Sequence, residues 1–169
     1  MAAALDVVPP SGGVTATPYG TLARWWMALG ATSVVAGGLV AALTGPLALW
    51  KGSWLAAYLV LVCGVPQYLM GRAATRRNAV RAGWFVLAMW NAGNVAVIAG
   101  TLLASPYLVD AGGAFLLVVL IALLRALLRS QPSDAIVFRR VWRWLMIALL
   151  SALIVSVPVG LVLAHLRAG

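Results

Sequence analysis

RAGWFVLAMWNAGNVAVIAGTLL, residues 81–103, is uncharged after Arg81 and long enough to cross a hydrocarbon core as one helix. Two amides, Asn91 and Asn94, stand near its middle. On a helix, Asn91, Asn94 and Thr101 share a face with Trp84. Gly93, Ala96 and Gly100 fall on roughly the opposite face. A polar side and a small-residue side predict a helix that touches protein twice instead of facing lipid.

The rest of the chain has the same character. Its 169 residues are 64% hydrophobic and only 9% charged, with a mean hydropathy of +1.03. Soluble domains are about 25% charged. A chain of this size has no way to hide so much apolar surface from water, so lipid is its predicted solvent. Five apolar segments follow one another, at about 25–47, 53–71, 81–103, 107–128 and 144–165. Each has the ~17–25 residues a membrane span needs. The gaps are short, which predicts antiparallel neighbours in a single all-α, five-helix transmembrane domain over residues 21–169. No internal repeat is visible, which weighs against the common transporter folds. Residues 1–20, with Pro9, Pro10, Gly12, Gly13 and Pro18, read as an irregular tail and not as a signal peptide. The stretch 133–143 reads as an interfacial lead-in to the fifth span, with Ser133 as N-cap.

Net charge is +9, from 12 Lys and Arg against 3 Asp and Glu. The basic residues sit in the short gaps, which points to membrane topology and anionic lipid headgroups and away from nucleic acid. Ten of them gather on one side: Arg24, Arg72, Arg76, Arg77, Arg81, Arg125, Arg129, Arg139, Arg140 and Arg143. Lys51 and Arg167 lie on the other. The positive-inside rule then predicts a cytoplasmic amino terminus and an external carboxyl terminus. The excess of Arg over Lys, with abundant Ala, Gly, Val and Leu, suggests the inner membrane of a bacterium with a high-GC genome. Trp90, ~14 Å into its helix, reads as a packing residue inside the bundle.

Candidate sites are few. Asn91 and Asn94 near the midplane, with Thr101, are either interhelical hydrogen-bonding groups or ligand contacts, and the first reading is preferred. Gln67 follows Pro66, which frees a carbonyl one turn back near Val62; the expected outcome is a kink with local polar repair. Gly93, Ala96 and Gly100 form the predicted helix-packing face. Arg72, Arg76, Arg77, Arg125, Arg129, Arg139, Arg140 and Arg143 are the predicted anionic-lipid contacts. A single cysteine, Cys63, rules out an intramolecular disulfide and reads as a small buried hydrophobe. His165, the only histidine, reads as an interfacial polar residue, and Asp110 as a carboxylate at the start of the fourth helix. The sequence contains no Ser/His/Asp set, carboxylate pair or phosphate loop, so no catalysis of its own, no metal and no cofactor is expected, with structural lipids as the possible exception.

LVLVCGVPQYLMGRA, followed by FVLAMWNAGNVAVIAGTLL, resembles a helix pair in small bacterial membrane proteins similar to haem–copper oxidase subunit I, on Gly64, Gln67, Met70, Gly71, Asn91 and Gly100. The resemblance covers about a third of the chain, and the histidines that ligate haem and copper in that family are absent from these helices. It implies a helical shell without a redox centre, hence an accessory subunit of a larger membrane complex, with other integral membrane subunits and lipids as partners. The other expectation is a small oligomeric transporter or channel with a polar path at Asn91, Asn94 and Thr101. The predicted topology has a direct test: a reporter fused after Gly169 reads out on the external side, and a cytoplasmic signal refutes the five-span orientation.

Overall fold

A computed structural model of the chain describes residues 18–73, 80–129 and 137–166. All the regular structure among them is helical: α1 (Pro18–Thr44), α2 (Gly52–Tyr58), a wide π-helical turn (Leu59–Gly64), α3 (Val65–Ala73), α4 (Val80–Leu102), α5 (Pro106–Arg129) and α6 (Val137–Leu166). Segments α2, the π turn and α3 run on without a break and form the second span. Five helices are thus long and apolar enough to cross a membrane: Gly20–Thr44, Gly52–Arg72, Arg81–Leu102, Pro106–Arg129 and Arg140–Gly160.

Three boundaries differ from the sequence reading. Pro18, read as part of an irregular tail, opens α1, because a proline in the first turn gives up an N–H that would have no helical partner anyway. The stretch 137–143 is no separate interfacial segment; it forms the first two turns of the continuous α6, since nothing between Val137 and Trp144 breaks a helix. Residues 133–136 of the expected lead-in lie outside the described residues. Asp110 falls just beyond the first turn of α5, because that helix already starts at Pro106.

Close backbone approach shapes the packing. Where α1 crosses the second span, a Cβ added at Gly30 would sit 2.5 Å from the Tyr68 nitrogen and 2.8 Å from the Gly64 carbonyl oxygen. Where α4 crosses α5, a Cβ at Gly112 would sit 2.7 Å from both the Gly93 oxygen and the Val97 nitrogen. These are distances that only hydrogen side chains permit. Helix α6 packs along α5, and α1 reaches α4 where Leu22 lies over Gly83. The chain therefore folds as one tight pair, α1 with the second span, beside a row of α4, α5 and α6. A single core joins them: Leu22 and Trp26 of α1, Met70 of α3, Leu87 and Trp90 of α4, Leu116, Val119 and Leu120 of α5, and Leu150 and Leu153 of α6.

The two turns at the opposite end from the arginines end their helices alike. Ala48 and Ala104 take positive φ, 47° and 52°, and the next residue's N–H reaches back to a carbonyl five residues earlier, Leu49 to Thr44 at 3.0 Å and Ser105 to Gly100 at 2.9 Å. This is the left-handed termination that closes helix carbonyls which would otherwise be open.

The glycine crossing gives a paired prediction. Gly112→Ala lowers stability by about 1–3 kcal/mol, the usual penalty of overpacking. Gly38→Ala on α1, where an added Cβ meets nothing within 4 Å, leaves it unchanged. Thermal unfolding in detergent checks both.

Candidate functional site: a polar seam between the second span and α4

The second span and α4 run antiparallel, but their backbones stay farther apart than in either glycine-lined pair. Side chains bridge the gap. Lys51 Nζ, at the start of the second span, donates to the Thr101 carbonyl. That carbonyl belongs to the last turn of α4, where helix oxygens lack N–H partners and the dipole favours a cation. Two turns along, the Tyr58 hydroxyl donates to Asn94 Oδ1 at 3.0 Å. Asn94 is buried, and its Nδ2 donates in turn to the Trp90 carbonyl at 2.9 Å. The amide is therefore engaged at both ends. Tyr58 also stacks on Trp54, with ring centroids 5.2 Å apart, which holds its ring in place, and Cys63 lies near enough to interact with it electrostatically.

The predicted site residues separate into groups. Asn94 and Thr101 lie on this seam. The Thr101 hydroxyl turns back onto its own helix, donating to the Val97 carbonyl at 2.8 Å. Asn91 is half-buried, and its Nδ2 donates to the Leu87 carbonyl at 2.8 Å, also within α4. Its hydrogen bond is thus intrahelical. Gln67 is fully buried, and Trp90 has no exposed surface at all.

The face formed by Gly93, Ala96 and Gly100 is covered by the chain itself. Gly93 lies against Leu116 and Gly112 of α5, Gly100 against Val109, and Ala96 is half-buried. It leaves no room there for a separate partner. Nor does α4 meet protein all round: Phe85, Ala88, Ala92 and Val95 form a third, outward face. Two faces 100° apart bury only part of a helix's circumference, and the sequence argument from opposite sides overlooked the remainder.

Arg24, Arg72, Arg81, Arg125, Arg129 and Arg140 are exposed at one end of the bundle. Arg143, beside them, is half-buried, with Nη2 3.4 Å from the Leu128 carbonyl near the end of α5. Arg76 and Arg77 lie outside the described residues, as do the side chains of Arg139 and His165. Among the described residues no group of three or more His, Cys, Asp or Glu side chains is placed to hold a metal ion.

Two members of the seam, Lys51 and Tyr58, escaped the sequence reading. Their signal was present: each carries a polar tip at the edge or inside of an apolar run. What the sequence withheld was the register that sets Tyr58 opposite Asn94 and Lys51 opposite Thr101. Comparison with known proteins adds no relative: no protein family matches the chain, and no curated protein or solved structure does either.

The seam is tested by Tyr58→Phe, which removes one interhelical bond and lowers stability by about 0.6–1.7 kcal/mol. Combined with Asn94→Leu in a double-mutant cycle, the two losses are less than additive. Full additivity would mean that the bond contributes nothing.

Proposed function

We propose that this chain is a membrane-embedded accessory subunit without catalytic activity, part of a larger assembly in a bacterial inner membrane, with a respiratory complex as the first candidate. The observation that carries this reading is the outward surface of α1. Along its second half, Ala31, Thr32, Val35, Gly38, Leu39 and Ala42 are all exposed, and the chain's own helices cover only 11% of that span's most apolar window. Lipid chains gain little from small residues, whereas a neighbouring helix gains close approach. Within the bundle, by contrast, Asn91, Asn94 and Thr101 donate to or accept from the chain's own groups. A transport path through those three side chains would have to break these bonds first, so the transporter reading is the weaker one.

On this reading the arginine end faces the cytoplasm, its guanidinium groups at the level of anionic headgroups, in accord with the positive-inside rule. Purification in a mild detergent tests the proposal: the chain is expected to co-purify stoichiometrically with larger membrane subunits. Gly38→Leu, which fills the open face of α1, is expected to reduce that recovery by tenfold or more without changing the unfolding temperature of the isolated chain. A discrete homo-oligomer with no other subunit would overturn the proposal.

A further inference from the structure

Two side chains at the centre of the bundle have polar atoms without a hydrogen-bond partner. They are both amide atoms of Gln67 and the indole nitrogen of Trp90. Both residues have no exposed surface. An amide or indole N–H in apolar surroundings normally finds a partner, because leaving it without one is costly.

The geometry of the second span brings the two together. Lys51 with Thr101 and Tyr58 with Asn94 fix one antiparallel register. In that register Trp90 lies level with about Val62, and Gln67 with about Phe85. Their Cα atoms are then ~7 Å apart in depth. Side chains on a helix lean toward its amino terminus. The two helices run in opposite directions, so Gln67 and Trp90 lean toward each other. Met70, one turn from Gln67, packs in the same core as Trp90.

The π turn makes this possible. Gln67 follows Tyr58 by about two and a half turns of ordinary helix, which would put the two on opposite sides. The wide turn at Leu59–Gly64 takes up about one extra residue and rotates Gln67 to within about a quarter turn of the Tyr58 side. The same turn carries a further open group. Its ladder runs from the Val65 N–H to the Val60 carbonyl. The next acceptor in that register is the Leu61 carbonyl, and its donor would be residue 66, a proline with no N–H. The sequence reading placed the freed carbonyl near Val62 because it assumed ordinary α-helical register.

These groups comprise donors (the indole N–H and the Gln67 amide N–H) and acceptors (the Gln67 oxygen and a backbone carbonyl). The complement is a small neutral molecule that both donates and accepts. We propose that Gln67 and Trp90 form an internal binding site for water between the second span and α4, with the bound water accepting from the Trp90 indole and bonding the Gln67 amide. The proposal is independent of the accessory-subunit reading and stands or falls without it.

The test uses the full chain in detergent micelles with ¹⁵N-labelled tryptophan. Trp90→Phe identifies the Trp90 indole signal by its loss. That signal is expected to show cross-relaxation to a long-lived water, and Gln67→Met is expected to abolish it. Gln67→Met is also expected to lower the unfolding midpoint by about 2–4 °C, and the double variant Gln67→Met with Trp90→Phe to lose less than the sum of the two. Gln67→Met that raises the midpoint would overturn the proposal, since it would mean that the amide is simply an unpaired polar group. An indole signal without water contact would overturn it too. So would solvent extraction that yields a stoichiometric lipophilic carbonyl compound, lost in Gln67→Met, because the donors would then serve that molecule and not water.

Discussion

Backbone-to-backbone contact at two crossings, Gly30 with Gly64 and Gly93 with Gly112, is the constraint on which the other packing depends. Neither crossing leaves space for a Cβ. Each draws its two helices to the shortest distance that helices reach, and so fixes α1 to the second span and α4 to α5. The second span and α4 belong to different pairs and cannot be drawn equally close. Long side chains fill the remaining distance: Lys51 and Tyr58 from one side, Trp90 from the other. The polar seam is therefore a consequence of where the glycines are. Small residues bring backbones together in two places, and large residues with polar tips occupy the third.

The wide turn in the second span belongs to the same logic. Pro66 removes one N–H from the ladder, and a uniform α-helix through it would leave a carbonyl open and turn Gln67 away from Tyr58. A π turn just before the proline absorbs the break without a sharp bend. It also keeps Cys63, Gly64, Pro66 and Gln67 all buried. Gly64 can then face Gly30 while Gln67 faces the core. One irregular turn thus serves both the glycine crossing and the polar interior, two demands that a regular helix of this sequence meets only one at a time.

The apolar runs made the number and length of the helices readable in advance, because a ~30 Å hydrocarbon core imposes a minimum length on anything that crosses it. The small-residue face of α4 was readable too, from the spacing of Gly93, Ala96 and Gly100. Its occupant was not, since any helix with its own glycines could have filled it; Gly112 on α5 does. Asn91 and Asn94 looked equivalent from the sequence, three residues apart on one face. They differ in the structure because Tyr58 comes within reach of only one of them. That reach depends on the register between two helices more than 30 residues apart in sequence, and register is set by packing and not by composition. The π turn was hidden for a related reason: Pro66 announces that the ladder must break, but not whether the chain kinks, unwinds or widens.

Helix α6 shows how charge and length act separately. Its 30 residues rise ~45 Å, well beyond a ~30 Å core. Length alone therefore fixes neither where such a helix would enter a membrane nor how far it would tilt. Arg140 and Arg143 supply the missing information. Their charges favour the headgroup level, and below them Trp142 and Trp144 add rings suited to the same boundary. Counted from there, the apolar stretch that ends near Gly160 is of ordinary span length. The first turns of α6 then stand beyond the boundary, beside the end of α5, where Arg143 Nη2 lies 3.4 Å from the Leu128 carbonyl. An arginine so placed answers two requirements at once: it favours the headgroup level, and its charge complements the carbonyl end of the neighbouring helix. The seam has its counterpart at the other end of the bundle, where Lys51 does the same for α4. Each of these two helix ends is thus met by a cation from a different helix. That ties the position of the charges, which a membrane would read, to the packing of the bundle.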